Sequence, residues 1–316
     1  MSTITKIKKI LITGGSGMVG KNFLEHKDID NFIVLYPSSH EVNLLNFDQV
    51  DSYLKVNQPD LIIHAAGRVG GILANINNPV AFLNENTDMG KNILLAAKKN
   101  QIKNLINLSS SCVYPRNINI PLEEETILTG QLEPTNEGYA LAKIHTQRLC
   151  QYINQENENY LYKTLIPCNL FGRYDNFDLD TGHLLPNIIN KLYHAKKNKD
   201  QEVLIWGDGS VRREFMYAGD LTDCLFYSIN NFDKLPFVMN VGIGFDYSVL
   251  EYYKAVANAF SWKGSFKFDL SKPVGQKQKL VSIKKLNKFG WQNQTTLEKA
   301  IHQTIGFFSK GNKSEI

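Results

Sequence analysis

The sequence predicts an α/β protein in which a doubly wound parallel sheet carries a smaller α/β lobe, the two being interleaved along the chain. Three observations carry this reading. Short apolar runs of strand type alternate with longer segments of helical periodicity, the pattern of parallel strands joined by crossover helices. A glycine-rich turn follows the first of those runs. Beyond about residue 170 the alternation breaks, yet a further run of sheet-strand character returns at 237–242, so the two lobes share the chain and do not follow one another.

Lys9-Ile10-Leu11-Ile12-Thr13 is the first strand, and Gly14-Gly15-Ser16-Gly17-Met18-Val19-Gly20 leads from it into the helix-like Lys21-Asn22-Phe23-Leu24-Glu25. Glycines at 14, 17 and 20 allow a tight turn, close approach of the backbone to a pyrophosphate and close helix packing; Ser16, Met18 and Val19 complete the turn at the helix's amino end. Strand, turn and helix in this order predict a Rossmann-type dinucleotide site. The second strand, Phe32 to Tyr36, ends in Pro37-Ser38-Ser39-His40 and not in an acid. An acid there would bind the ribose 2'-hydroxyl of NAD, whereas Ser38, Ser39 and His40 can accept a 2'-phosphate, so NADP(H) is the expected cofactor. The same three residues also suit a plain surface turn.

Leu61-Ile62-Ile63-His64 is a third strand, and Ala65, Ala66 and Gly67 at its carboxyl end leave room for a ligand before the loop Arg68 to Ile72. A helical pattern covers Pro79 to Lys99, with proline in its first turn, and Asn104 to Leu108 is a fourth strand. Ser109-Ser110-Ser111 then lies at the sheet's carboxyl edge, where a serine can hold a substrate carbonyl oxygen.

About thirty residues on, Tyr139 and Lys143 share one face of a helix. A lysine ammonium favours a neighbouring phenolate, which draws a hydroxyl of ordinary pKa about 10 toward the pH at which it exchanges a proton and makes Tyr139 a candidate acid catalyst. An isolated Tyr-x-x-x-Lys is better read as an amphipathic helix with a solvated lysine. Here serine, tyrosine and lysine converge on one crevice.

Leu161 to Ile166 is the fifth strand. After Asn169 come an aspartate-rich loop, a helix opening at His183, a strand at 202–206 and the stretch Arg212 to Tyr217. These divide the chain into a dinucleotide domain of residues 1–169 plus about 214–245, and a second, substrate-binding lobe of about 170–213 and 246–316. A charged fraction of 21% and a net charge of +4 suit a globular enzyme. The late lysines, from Lys263 to Lys288, lack the aromatic interleaving of a nucleic-acid surface and suit a solvated face or a small phosphorylated ligand. No stretch approaches the roughly 18 apolar residues of a membrane span, and a cytoplasmic location is expected. Cys112, Cys150, Cys168 and Cys224 show no metal-ligand spacing, so no metal and no disulfide scaffold are expected. Read alone, Cys112 is buried filler and His183 a helix-start histidine.

Taken together, these residues resemble the extended short-chain dehydrogenase/reductases and, among them, the GDP-L-fucose synthases. The resemblance runs through Gly14 to Gly20, Ala65 to Asn75 including Val69-Gly70-Gly71-Ile72, Ser110 to Pro115, Glu133 to Lys143, Asn169 to Asn176, His183, Trp206-Gly207, Arg213-Glu214-Phe215 and Ser271-Lys272-Pro273. It implies a catalytic triad of Ser110, Tyr139 and Lys143, in which Ser110 orients a C4 carbonyl, Tyr139 donates a proton and Lys143 supports both Tyr139 and the nicotinamide ribose. It implies an epimerase pair in Cys112 and His183, on the chemistry that a C4 ketone acidifies the protons at C3 and C5. Val69, Gly70, Asn169, His183, Lys191, Trp206, Arg213 and Lys279 fall at substrate positions, with Arg213 and Trp206 gripping a nucleotide diphosphate. The partner so implied is a GDP-linked 4-keto sugar, and the assembly a homodimer.

Three departures concern the substrate side. Lys191 stands where an arginine is usual, Val274 where an aspartate is usual, and Gly219 replaces the first aspartate after Arg-Glu-Phe. The expected function is NADPH-dependent C4 reduction of a GDP-4-keto-6-deoxyhexose or heptose, with 3,5-epimerisation. Its alternatives are C4 reduction after a separate epimerase, an NAD-dependent nucleotide-sugar 4-epimerase, and a non-catalytic dinucleotide sensor on the same scaffold.

Overall fold

The computed structural model describes residues 7–272 and 275–311. In chain order the strands are β1 (Lys9–Thr13), β2 (Ile33–Leu35), β3 (Leu61–His64), β4 (Asn104–Leu108), β5 (Leu161–Pro167), β6 (Asn169–Phe171), β7 (Glu202–Trp206), β8 (Arg212–Arg213), β9 (Phe215–Tyr217), β10 (Val238–Val241), β11 (Tyr247–Ser248), β12 (Ser265–Asp269) and β13 (Gln278–Lys279). The helices are α1 (Met18–Leu24), α2 (Phe47–Asn57), α3 (Ile72–Asn77), α4 (Pro79–Lys99), α5 (Glu137–Glu156), α6 (Leu184–Asn198), α7 (Ala218–Asn230), α8 (Val249–Phe260), α9 (Lys284–Phe289) and α10 (Leu297–Gly311).

Six strands form the central sheet in the order β10-β5-β4-β3-β1-β2, every pair parallel. The expected sheet is therefore present, including the late return of the chain as β10 beside β5. Its strands are apolar throughout because both faces are covered. Alternate residues feed opposite layers: Ile10, Ile12, Leu61, Ile63 and Ile106 pack on one side, Leu11, Ile62 and Leu105 on the other. The direction of strand addition reverses between β1 and β3, so the turns after these two strands frame a crevice.

A second core belongs to the smaller lobe. In α6, Leu185, Ile188, Ile189 and Leu192 recur at helical spacing and pack with Val203, Ile205, Tyr252, Val256 and Phe308. Its strands pair across long stretches of sequence, β7 with β12 and β8 with both β11 and β13. One buried carboxylate ties this region together: Glu214 accepts from the amides of Ile243 at 2.6 Å, Gly244 at 2.9 Å and Val281 at 2.9 Å. Burial pushes its pKa up to about 7 against the pull of those three amides.

Candidate active site

A cleft of about 1100 Å³ runs between the carboxyl edge of the sheet and the smaller lobe. At its dinucleotide end, Gly14 adopts φ +75°, and a Cβ there would lie 2.9 Å from the backbone of Ala66. Gly20 packs harder still, since its Cβ would meet the Gly14 carbonyl oxygen at 2.3 Å. The turn can therefore sit against the Ala65-Ala66 end of β3 only with glycine at both positions. Gly14, Ser16, Gly17, Met18, Val19, Ala65 and Ala66 line the cleft, whereas Gly20 works behind it as a packing residue. The cradle suits a dinucleotide on this ground: its floor is backbone that no side chain could share.

Thr13 closes the floor. Its hydroxyl accepts from the Ala66 amide at 3.2 Å and lies 2.9 Å from Nδ1 of the buried His64. Burial and the charge of Lys143 lower the His64 pKa to about 3, so the imidazole is neutral. The sequence reading took His64 as strand only; a histidine inside an otherwise apolar run was the signal available.

The candidate chemical centre is built by β4 and α5. Ser110 leaves β4 as the cap of a short 3-10 turn, its Oγ accepting from the Cys112 amide at 3.4 Å. Tyr139 and Lys143 face it from the first turns of α5. The Lys143 Nζ donates to the Leu108 carbonyl at 3.0 Å and lies 5.7 Å from the centre of the Tyr139 ring. Phe82 packs against that ring edge-on, with centroids 6.3 Å apart.

The titration of this pair differs from the expectation that lysine draws the phenol downward. Burial pushes the Tyr139 hydroxyl well above the usual phenol range, Cys112 adds to the rise, and a hydrogen bond with Ser110 opposes it. Burial also lowers Lys143 to about 8. At neutral pH the phenol is thus held protonated, the form that a proton donor needs.

Cys112 is 4% exposed and lines the same cleft. Burial raises its thiol pKa, while the charge of Lys279, a hydrogen bond from Ser110 and the charge of Lys143 act against burial. His183 caps the amino end of α6 and presents its surface to the cleft, where the surrounding protein lowers its imidazole pKa.

Val69, Gly70, Asn169, Lys191, Trp206, Arg213 and Lys279 all line the cleft. Asn75 fixes the Gly70-Gly71 loop by donating to both carbonyls, at 2.9 and 3.0 Å. Two ammonium groups lie over the Trp206 indole, Lys191 at 5.8 Å and Lys272 at 5.6 Å from its ring centre. β13 pairs with β8 in a register that sets Lys279 beside Arg213. Burial lowers Arg213 to about 10, with Glu133 and Asp246 opposing the shift. Glu133, Tyr174, Asp175 and Gln276 also line the cleft; the first three lie in stretches that carry the family resemblance, but no role was assigned to any of the four because loops without periodicity do not reveal where a side chain points.

Not every expected residue reaches the cleft. Of Ser38, Ser39 and His40, only Ser39 lines it. Gly219 lies in the first turn of α7, outside the lining, where a Cβ would meet the Tyr217 ring at 2.6 Å; its place near the substrate is corrected accordingly. Val274 lies outside the described residues. Among the described residues no cluster of histidine, cysteine and acidic side chains could hold a metal ion, and no helix is long and apolar enough to cross a membrane.

Residues 10–242 match the model of the NAD dependent epimerase/dehydratase family. The chain is 53% identical to a GDP-L-colitose synthase of Yersinia pseudotuberculosis over 300 residues, covering 95% of this chain and 97% of that protein. Its structure is similar to a GDP-6-OMe-4-keto-L-xylo-heptose reductase from C. jejuni, with TM-score 0.90, 26% identity and coverage of 98% and 99% of the two chains. It is also similar to an NADP-bound GDP-L-fucose synthetase from Naegleria fowleri, with TM-score 0.88, 29% identity and coverage of 99% and 96%.

Proposed function

The chain belongs to the NAD dependent epimerase/dehydratase family, and from that premise we propose that it is an NADP(H)-dependent oxidoreductase that reduces the C4 carbonyl of a GDP-linked 4-keto sugar. The colitose synthase, the heptose reductase and the NADP-bound fucose synthetase support this reading. The observation that carries it is the meeting of Ser110, Tyr139 and Lys143 with Arg213, Lys279 and Trp206 in one cleft.

Bound NADPH supplies hydride to C4. Ser110 orients the carbonyl oxygen and Tyr139, protonated at neutral pH, gives that oxygen its proton. Lys143, anchored on the Leu108 carbonyl, holds a positive charge beside the phenol and stabilises the phenolate left behind. Arg213 and Lys279 bind the diphosphate, and Trp206 with Lys191 lines the nucleotide end. Residues 1–169 and 214–245 serve the dinucleotide, while 170–213 and 246–316 serve the sugar. The sugar is a 6-deoxyhexose or a heptose.

Cys112 and His183 act as base and acid for epimerisation at C3 or C5. A second reading, C4 reduction without epimerisation, is favoured by the burial of Cys112, which holds its thiol protonated. We place the enzyme in the cytoplasm as a homodimer formed through α4 and α5, which leave Leu95, Leu141 and Tyr152 exposed.

The test is incubation with NADPH and GDP-4-keto hexoses and heptoses in deuterated water, with products read by NMR. Reduction at C4 is expected for at least one sugar, with solvent deuterium at C3 or C5. Reduction without deuterium selects the second reading, and no reduction of any sugar overturns both.

A further inference from the structure

The second glycine of the Val69-Gly70-Gly71-Ile72 loop makes a backbone contact that no reaction step above uses. Gly71 lies in the loop after β3, and its amide donates to the carbonyl of Thr181, in the segment that leads into His183, at 3.1 Å. A Cβ on Gly71 would lie 2.8 Å from the Gly182 carbonyl oxygen. Its backbone, at φ −64° and ψ 179°, is one that any residue adopts, so space and not strain reserves the position for glycine.

Each partner of this contact is braced from its own side. Asn75 donates to the carbonyls of Gly70 and Gly71. On the other side, the Asp178 carboxylate accepts from the amides of Asp180 at 3.0 Å and Thr181 at 2.8 Å, which makes 178–181 one tight turn. Asn187 stands one turn of α6 beyond His183 on the same face, and it donates to the carbonyls of Leu179 at 3.2 Å and Gly182 at 3.3 Å. A Cβ on Gly182 would meet the Asn176 and Asp178 carbonyl oxygens at 2.5 Å, so this segment too closes only with glycine.

We propose that these contacts form a clamp that positions His183, with Gly71, Asn75 and Asn187 as positioning residues for the epimerisation. His183 begins α6 and lines the cleft, and the two residues before it are those that Gly71 and Asn187 hold. Cys112 follows β4, the neighbour of β3 in the sheet, so the clamp refers the acid and the base to one support. This rests on His183 being the acid of the epimerisation proposed above.

The test follows the His183 imidazole by NMR against pH in protein labelled with 15N-histidine, its signal assigned with His183→Gln. In the wild type it should titrate below the ordinary value of about 6.5, because the surrounding protein desolvates it. Gly71→Ala must displace backbone, while Asn187→Ala removes a brace without adding an atom. In both, the His183 titration should move up toward the ordinary value while the other six histidines keep theirs. A merely structural role would lower the melting temperature and leave that titration in place. Deuterium exchange at C3 or C5 should fall about tenfold or more, since a misplacement of about 1 Å can cost about 100-fold. NADPH affinity should stay within about twofold of wild type in a calorimetric titration. An unchanged His183 titration in either folded variant overturns the inference, and so does undiminished exchange where the titration has moved. If Gly71→Ala does not fold, Asn187→Ala decides alone. A wild type without exchange overturns the epimerase reading instead, and the imidazole titration still decides whether the clamp holds His183.

Discussion

Tyr139 and Lys143 set the direction of the chemistry through burial. Buried phenols resist ionising, so in the proposed reaction Tyr139 is the acid, and replacing it by phenylalanine would remove that proton donor while leaving the ring packed on Phe82. Tyr139→Phe should lower kcat at least about 100-fold, with cofactor affinity little changed in a titration. Lys143 is cationic below its lowered pKa of about 8 and neutral above it. The reductive rate should therefore hold below that value and fall as pH rises through it; a profile flat to strongly alkaline pH would remove Lys143 from the mechanism. Cys112 has the opposite dependence, because its raised thiol gives more thiolate as pH rises. Deuterium exchange at C3 or C5 should climb with pH while reduction declines, and Cys112→Ser should abolish only the exchange. Tyr139 and Lys143 were legible in the sequence only in context, through the glycine turn, Ser110 and the family resemblance, because spacing alone equally suits an amphipathic helix. Their titration was not, since the depth of burial depends on Phe82 and Leu108, which no local pattern connects to them.

At the level of elements, two packing devices hold the site. The glycine turn lies so close to the start of α1 that a Cβ on Gly20 would meet Gly14 oxygen at 2.3 Å and Gly15 Cα at 2.5 Å. Gly20→Ala must displace backbone; such overpacking costs about 1–3 kcal/mol and should be seen as weakened dinucleotide binding. Glu214 joins the loop after β10 to β8 and β13, the strands that deliver Arg213 and Lys279. Glu214→Ala would leave three buried amides without an acceptor, a loss of about 3 kcal/mol or more in denaturant unfolding, with a raised KM for the sugar. The strands of the main sheet were readable because each is an apolar run bounded by turn residues. The pairing of β7 with β12 and of β8 with β13 was not, because about sixty residues separate each pair and two-residue strands carry no periodicity.

For the whole molecule, the interleaving foreseen from the return of a sheet strand at 237–242 has a mechanical meaning: both walls of the cleft are fixed to one sheet, β10 on its edge and β6 leading out of β5 into the lobe. Placing exposed Leu141 and Tyr152 on the outer face of α5 predicts association, and Leu141→Arg should halve the mass seen in sedimentation. Identity of the sugar was less legible, since the proposed sugar end of the cleft draws on loops, among them those of Glu133, Tyr174 and Gln276, whose side-chain directions no periodicity reveals. The central claim is hydride delivery to C4 by a reductase, and the direct measurement is NMR of the product made with NADPH deuterated at the transferred position. One deuterium at C4 of the sugar, absent from the Tyr139→Phe reaction, is the predicted result; recovery of the 4-keto sugar with the cofactor unoxidised would contradict it.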